Sequence, residues 1–277
     1  NRDARNMAED LIKSSSSSYD IFNWELPHAI PGCFLYDYVL KRQRAATVQL
    51  DHPDICDDTQ TFIGHCCAAE HILNSVRPET IILSHPNGLQ GPMAWIGINL
   101  GAQVILPFGQ LGIPRFVRMR VHEDLLNLFK SIPSLSIFSS QQQTRLAEIG
   151  KADTKRRLDG FGNDLGGSLS FGTENDRISV NKESICREFG WPLSRPIVGL
   201  YANCWYDWPN CIPLKNFRDF HDWIKASLSV ATDVTKFSWL LRPHPAEDWY
   251  GGVYLKDLVG TDINQHQHIR ISPKNWG

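Results

Sequence analysis

Neither sign of charge is in excess: 28 Lys and Arg against 30 Asp and Glu leave a formal net charge of −2 over 277 residues. A near-neutral surface has no long-range field to gather a polyanion, which argues against nucleic-acid binding by bulk electrostatics. Partners must be recognised by local chemistry. Long apolar runs are also missing. The stretch from Met93 to Phe108 is interrupted by Gly97, Gly101 and Pro107, short of the roughly 20 residues that a bilayer span needs. The seven cysteines are odd in number and never take a Cys-x-x-Cys spacing, so they read as reduced thiols in a cytosolic protein. Cys66 and Cys67 stand beside His65 and His71, but adjacent cysteines rarely share a tetrahedral metal site, and packing is the better reading. No Asp-x-Asp pair sits at a strand end to hold Mg²⁺ on a diphosphate, and Asp57-Asp58 is adjacent rather than spaced, so any phosphate chemistry is expected to be metal-independent. No basic-then-apolar leader opens the chain, and a start at Asn1 reads as a piece of a longer protein.

What is present is ample apolar material, 42% of the chain, over a length that favours two domains. Helical periodicity is read over 1–13, 33–40, 59–76, 122–129, 141–158 and 182–189, the last closed by Gly190. Strands are read at 21–26, 81–84, 104–108, 135–139, 197–201, 237–241 and 268–271. The order strand, turn, helix, strand around 81–108 makes a βαβ unit. A second follows from 197 to 241, its helix packing Phe217, Phe220, Trp223, Ile224 and Leu228 on the sheet. Between them, 159–180 turns to Gly, Ser, Asn and Asp, with Gly160, Gly162, Gly166, Gly167 and Gly172 close together. That divides the chain into an amino-terminal domain at 1–158, a linker at 159–180 and a partial carboxyl-terminal domain at 181–277, since too few strands follow Ile271 for a whole Rossmann-like half.

The most informative segment is Trp239-Leu-Leu-Arg-Pro-His-Pro-Ala-Glu247. It reads as a buried strand that stops at an imidazole held between Pro243 and Pro245. His244 then sits at a carboxyl end, where open α/β sheets bind ligands, and Arg242 adds a permanent cation suited to phosphate. A rigid turn with a surface histidine is the alternative.

Arg242-Pro-His-Pro-Ala-Glu247, together with Trp223 and with Tyr201-Ala-Asn-Cys-Trp-Tyr-Asp207, resembles the bacterial capsule polysaccharide biosynthesis family, which is similar to Kdo transferases and to sialyltransferases with a His-Pro motif. Gly32 to Lys41, Arg77 to His85 and Gly97 to Gly109 are similar to the family's early helix and strand-turn-helix-strand core. The resemblance implies an α/β fold of two Rossmann-like domains facing across a cleft, the GT-B arrangement, with the second domain truncated here. It implies a glycosyltransferase of capsule or surface polysaccharide synthesis, moving an acidic, Kdo-like sugar from a CMP-activated donor to a glycan or lipid-linked acceptor. It further implies no cofactor beyond that nucleotide sugar, and a cytoplasmic enzyme peripheral to the inner membrane or export machinery. His244 and Pro245 would contact the CMP phosphate.

The residues supply candidates for each step. Arg242 and His244 would stabilise the leaving phosphate, and Glu247 would hold a ribose hydroxyl or cap a helix. Asp207 follows the first strand of the second domain and reads as a catalytic carboxylate or as a turn residue before Pro209. Asp37 is an acid within an apolar helix, either catalytic or paired with Arg42 or Arg44. His85 ends a strand, as a rim group or a helix cap, and Arg118 and Arg120 share a face that lines an acidic-sugar pocket or an exposed edge. Three other readings stand beside sugar transfer: polyol-phosphate transfer from CDP-glycerol, a non-catalytic nucleotide- or glycan-binding module, and a sugar-nucleotide epimerase of similar two-domain shape.

Overall fold

In a computed structural model of the chain the described residues are 2–108, 115–126, 135–159, 178–210, 216–245, 247–260, 263 and 265–276. They form a mixed α/β protein in two compact units. One gathers Asn1–Gly109, Ile113–Lys130 and Trp205–Trp223; the other gathers Gln110–Gly112, Ser131–Cys204 and Ile224–Gly277. The stretch at 205–223 therefore belongs with the first unit although it follows a strand of the second. Of the linker expected at 159–180, residues 160–177 lie outside the described ones.

The first unit contains α1 (Arg2–Ser14), α2 (Gly32–Gln43), α3 (Ile55–Val76), β1 (Thr80–Ile82), α4 (Gln90–Asn99), β2 (Gln103–Phe108), β3 (Arg115–Met119) and α5 (His122–Leu125). β1 and β2 are parallel and joined by α4, as the βαβ reading expects. β3 runs antiparallel to β2, so the sheet is mixed rather than a purely parallel Rossmann-like one. Its face bearing Ile81, Val104, Leu106 and Met119 is buried. On the opposite face Ile82 and Phe116 are exposed, and Arg118 is exposed with them on an edge strand.

The strand read at 21–26 is instead a 3-10 turn at Ser18–Asn23. Ser17 accepts from the Tyr19 amide, and Asp20 accepts from the Ser16 and Ser17 amides, a local capping pattern that outcompetes extension. The turn packs closely on the start of α2: a Cβ on Gly32 would lie 1.8 Å from the Ile21 carbonyl oxygen. The strand read at 135–139 is likewise a 3-10 turn, Leu135–Ile137, because Ser139 caps the next helix by accepting from the Gln142 amide.

The second unit contains α6 (Ser140–Leu158), α7 (Lys182–Phe189), β4 (Ile197–Tyr201), most of α8 (Phe220–Asp233), β5 (Ser238–Arg242), α9 (Glu247–Tyr250), α10 (Leu255–Val259) and β6 (Ile269–Ile271). α7 stops at Gly190, whose φ of 67° is the left-handed conformation that a helix end requires. β4, β5 and β6 are parallel and lie in sequence order, with β5 central. β5 ends at Arg242, one residue later than its apolar pattern suggests, because the Arg242 backbone still pairs with β4 through the Ala202 amide before Pro243 ends the ladder.

Candidate functional site

In the first unit, the stretch that runs from β1 into α4 and the 205–210 segment both come together at α2. A Cβ on Gly91 would lie 2.6 Å from the Phe34 ring, so the start of α4 lies directly against α2. The loop after β1 carries Gly88 at a φ of 49°, and a Cβ there would lie 2.4 Å from the Trp208 ring. Only glycine admits both that backbone and that contact. Trp208 in turn receives Lys41 of α2 over its ring, 4.6 Å from the centroid, and holds a left-handed φ of 53°, a strained conformation for a tryptophan. The segments bearing His85, Asp37 and Asp207 are thus drawn into one region although they are remote in sequence.

Asp37 is only 2% exposed. Neither Arg42 nor Arg44 is its partner: Arg42 pairs with the buried Asp58 at 3.0 Å instead. Asn210 supplies both donors, its backbone N–H to Asp37 Oδ2 at 3.1 Å and its side-chain Nδ2 to Oδ1 at 2.8 Å. Burial pushes the Asp37 carboxyl up to about 7 against the lowering effect of the Asn210 hydrogen bonds, and the charges of Asp219 and Asp207 push the same way as burial. A carboxyl poised near neutrality suits proton transfer. With both oxygens engaged and almost no surface, however, Asp37 in this conformation clamps the 205–210 loop rather than facing a substrate. Asp207, half-buried on that loop, is the more accessible acid.

Beneath this clamp lies a second buried carboxylate. Asp219, 0% exposed, caps α8 by accepting from the Asp222 amide at 2.7 Å and receives the Tyr36 hydroxyl at 2.5 Å. The Tyr36 hydroxyl also meets Thr47 Oγ1 at 2.9 Å. Burial, then the Asp219 charge, raises Tyr36 far above its ordinary value, so it stays a hydrogen-bond donor. His85 is exposed; its backbone N–H donates to Gln90 Oε1 at 3.2 Å, and its ring has no hydrogen-bond partner among the described residues. It is Gln90, not the histidine ring, that ties this loop to α4.

In the second unit the Arg-Pro-His-Pro-Ala-Glu segment begins at the carboxyl end of the central strand. The Arg242 guanidinium donates to the Pro273 carbonyl at 2.9 Å and to the Lys274 and Trp276 carbonyls, with Ser272 Oγ at 3.4 Å. Its donors thus hold the segment after β6 across the strand ends. Glu247 is also committed. Its buried carboxylate accepts the Leu255 amide at 2.5 Å, capping α10, and pairs with Lys274 at 3.2 Å. Of its two sequence readings, the cap is the one this geometry carries. Between these structural ends, His244 is half-buried with its ring centroid 6.3 Å from that of Tyr250, and Pro245 is exposed. β4 to β6 show no reversal of order, so the switch point at which open sheets usually bind is not among the described strands.

Three contributors escape sequence reasoning. Asn210 is an ordinary turn residue until it is seen against Asp37, and Tyr36 reads as apolar helix filling until it is seen against Asp219. Trp249, two residues after Glu247, is exposed beside Tyr250, and the pair Trp249-Tyr250 before Gly251-Gly252 was the only available signal. Cys66 is buried in α3 with its thiol pushed up to about 12 by burial, and among the described residues no cluster of His, Cys, Asp and Glu suits a metal ion. No described helix is long and apolar enough to cross a membrane. A shallow depression of about 610 Å³ along α1, between Asp3 and Ser14, belongs to neither group. Comparison with protein-family models, curated proteins and solved structures finds no match to this chain.

Proposed function

We propose that this chain is a glycosyltransferase of the capsule polysaccharide type, built from two Rossmann-like domains in the GT-B manner and using a CMP-activated acidic sugar as donor. The observation that carries the reading is the position of His244: two residues beyond the carboxyl end of the central strand of a parallel sheet, between prolines, next to the exposed Pro245. Such a site presents an imidazole to a phosphate without ordering cost at the moment of reaction. In this reading His244 stabilises the departing CMP, and Arg242 acts at one remove, as a fixed cation that shapes the rim. Asp207 is the carboxylate that takes the acceptor proton, and Asp37 positions its loop through Asn210.

The commitment of Arg242 and Glu247 to internal hydrogen bonds favours one second reading, a nucleotide-binding module without turnover. Incubation with CMP-Kdo or CDP-glycerol and a glycolipid acceptor, following CMP release, tests the proposal. Acceptor-dependent CMP release from CMP-Kdo, lost in His244→Ala, supports sugar transfer, whereas release from CDP-glycerol alone identifies a polyol-phosphate transferase. CMP binding with no release from either donor supports the module. Absence of both binding and release overturns the nucleotide reading altogether.

A further inference from the structure

The chain has nine tryptophans, and eight of them are buried or half-buried; Trp249 alone is exposed, at 59%. Its location is not arbitrary. It lies on α9, within the loop that begins with His244, and the rings run in series. Trp249 meets Tyr250 edge to face at 4.8 Å between centroids, and Tyr250 meets His244 in the same manner at 6.3 Å. The short helix is fixed at both sides. The Glu247 carboxylate accepts the Leu255 amide, the Glu247 carbonyl accepts the Gly251 amide at 3.0 Å, and Lys274 grips both Glu247 and Asp248, at 3.2 and 2.6 Å. Lys274 therefore offsets the two carboxylates that flank the indole. Although burial alone would lower it, its hydrogen bonds with Asp248 and Glu247 hold Lys274 above its ordinary value, so it stays charged.

A surface indole held in place by its neighbours loses little freedom when a flat ring stacks on it. A nucleoside monophosphate carries an anion at one end and an aromatic ring at the other, and this rim offers an imidazole and an indole in the same order. We propose that Trp249 is the stacking platform for the pyrimidine base of the nucleotide whose phosphate lies at His244. This rests on the nucleotide reading above and goes beyond it, by assigning the base to a residue outside the Arg-Pro-His-Pro-Ala-Glu segment.

The test is calorimetric titration of the full chain with CMP and, separately, with ribose 5-phosphate, which has the anion and no base. Trp249→Ala weakens CMP about tenfold, in line with the loss of one base–aromatic stack. Trp249→Phe restores most of that loss, and ribose 5-phosphate binds Trp249→Ala and the parent chain alike. His244→Ala weakens both ligands. Trp249 is exposed, so its replacement is not expected to unfold the chain, and far-UV circular dichroism checks this. Unchanged CMP affinity in a folded Trp249→Ala overturns the platform and leaves the nucleotide reading standing. Equal loss of CMP and ribose 5-phosphate also overturns it, because a merely structural role would affect both. Failure of the parent chain to bind CMP removes the nucleotide reading itself, and the platform with it.

Discussion

Replacing Asp37 with Asn should change how stability depends on pH more than it changes stability itself. The Asp37 carboxyl is raised from its ordinary value of 3.8 to about 7, mainly by burial. Between those values the folded chain keeps a proton that the unfolded chain has lost. Stability from this group is therefore fully present below about pH 4 and falls as pH rises toward 7, the reverse of an ordinary salt-bridged carboxylate. Roughly three pH units at 1.36 kcal/mol each make the loss about 4 kcal/mol at most. The group is fully buried, so solvent screening takes little from it. The replacement amide cannot ionise, yet its carbonyl oxygen can still accept from Asn210 Nδ2. Urea unfolding at pH 5, 6, 7 and 8, followed by circular dichroism, should show Asp37→Asn gaining on the parent chain across that series by about 2–3 kcal/mol, because the rest of the loss falls below pH 5. Other titrating groups cancel in the difference between the two proteins. Parallel pH profiles would refute the reasoning, since they would mean that Asp37 titrates alike in folded and unfolded chains.

Two further substitutions probe the same scaffolds. Tyr36→Phe removes the hydroxyl that donates to the fully buried Asp219, and should cost about 1.5–3 kcal/mol in urea denaturation at neutral pH; a cost below about 0.5 kcal/mol would show that water replaces the hydroxyl. Arg242→Met removes the donors to the carbonyls of Pro273, Lys274 and Trp276, and should speed amide hydrogen exchange through 272–276 while leaving α2 and α3 unchanged. Unchanged exchange there would return Arg242 to the role of a phosphate ligand.

Elements governed by neighbours in sequence were legible. Gly190 ends α7 as its pattern indicates, and β4 and β5 fall within a residue of their short apolar runs, although only β5, with Ser238, Trp239 and Leu241 buried, is a covered strand, whereas β4 is half-buried to exposed throughout. The misreadings at 21–26 and 135–139 share one cause: short apolar runs suit strand and turn equally, and the Ser and Asp side chains beside them settled the matter by capping. Asp57 and Asp58 look alike as a surface acidic pair, yet Asp57 is exposed and Asp58 is buried against Arg42. The direction of β3 was illegible, because strand composition does not encode parallel or antiparallel pairing for a short edge strand.

The site divides along the same line. Residues 237–247 suffice to put His244 between two prolines just past a buried strand, since apolar continuity and fixed proline backbones are local properties. What the flanking side chains do was set by long-range packing. Arg242 turned to the carbonyls after β6 and Glu247 to the start of α10, where backbone groups needed partners. Asp37 met Asn210 across 173 residues and Tyr36 met Asp219 across 183. A buried carboxylate must find a donor, but which donor the fold brings to it depends on packing between distant segments, and no local pattern records that.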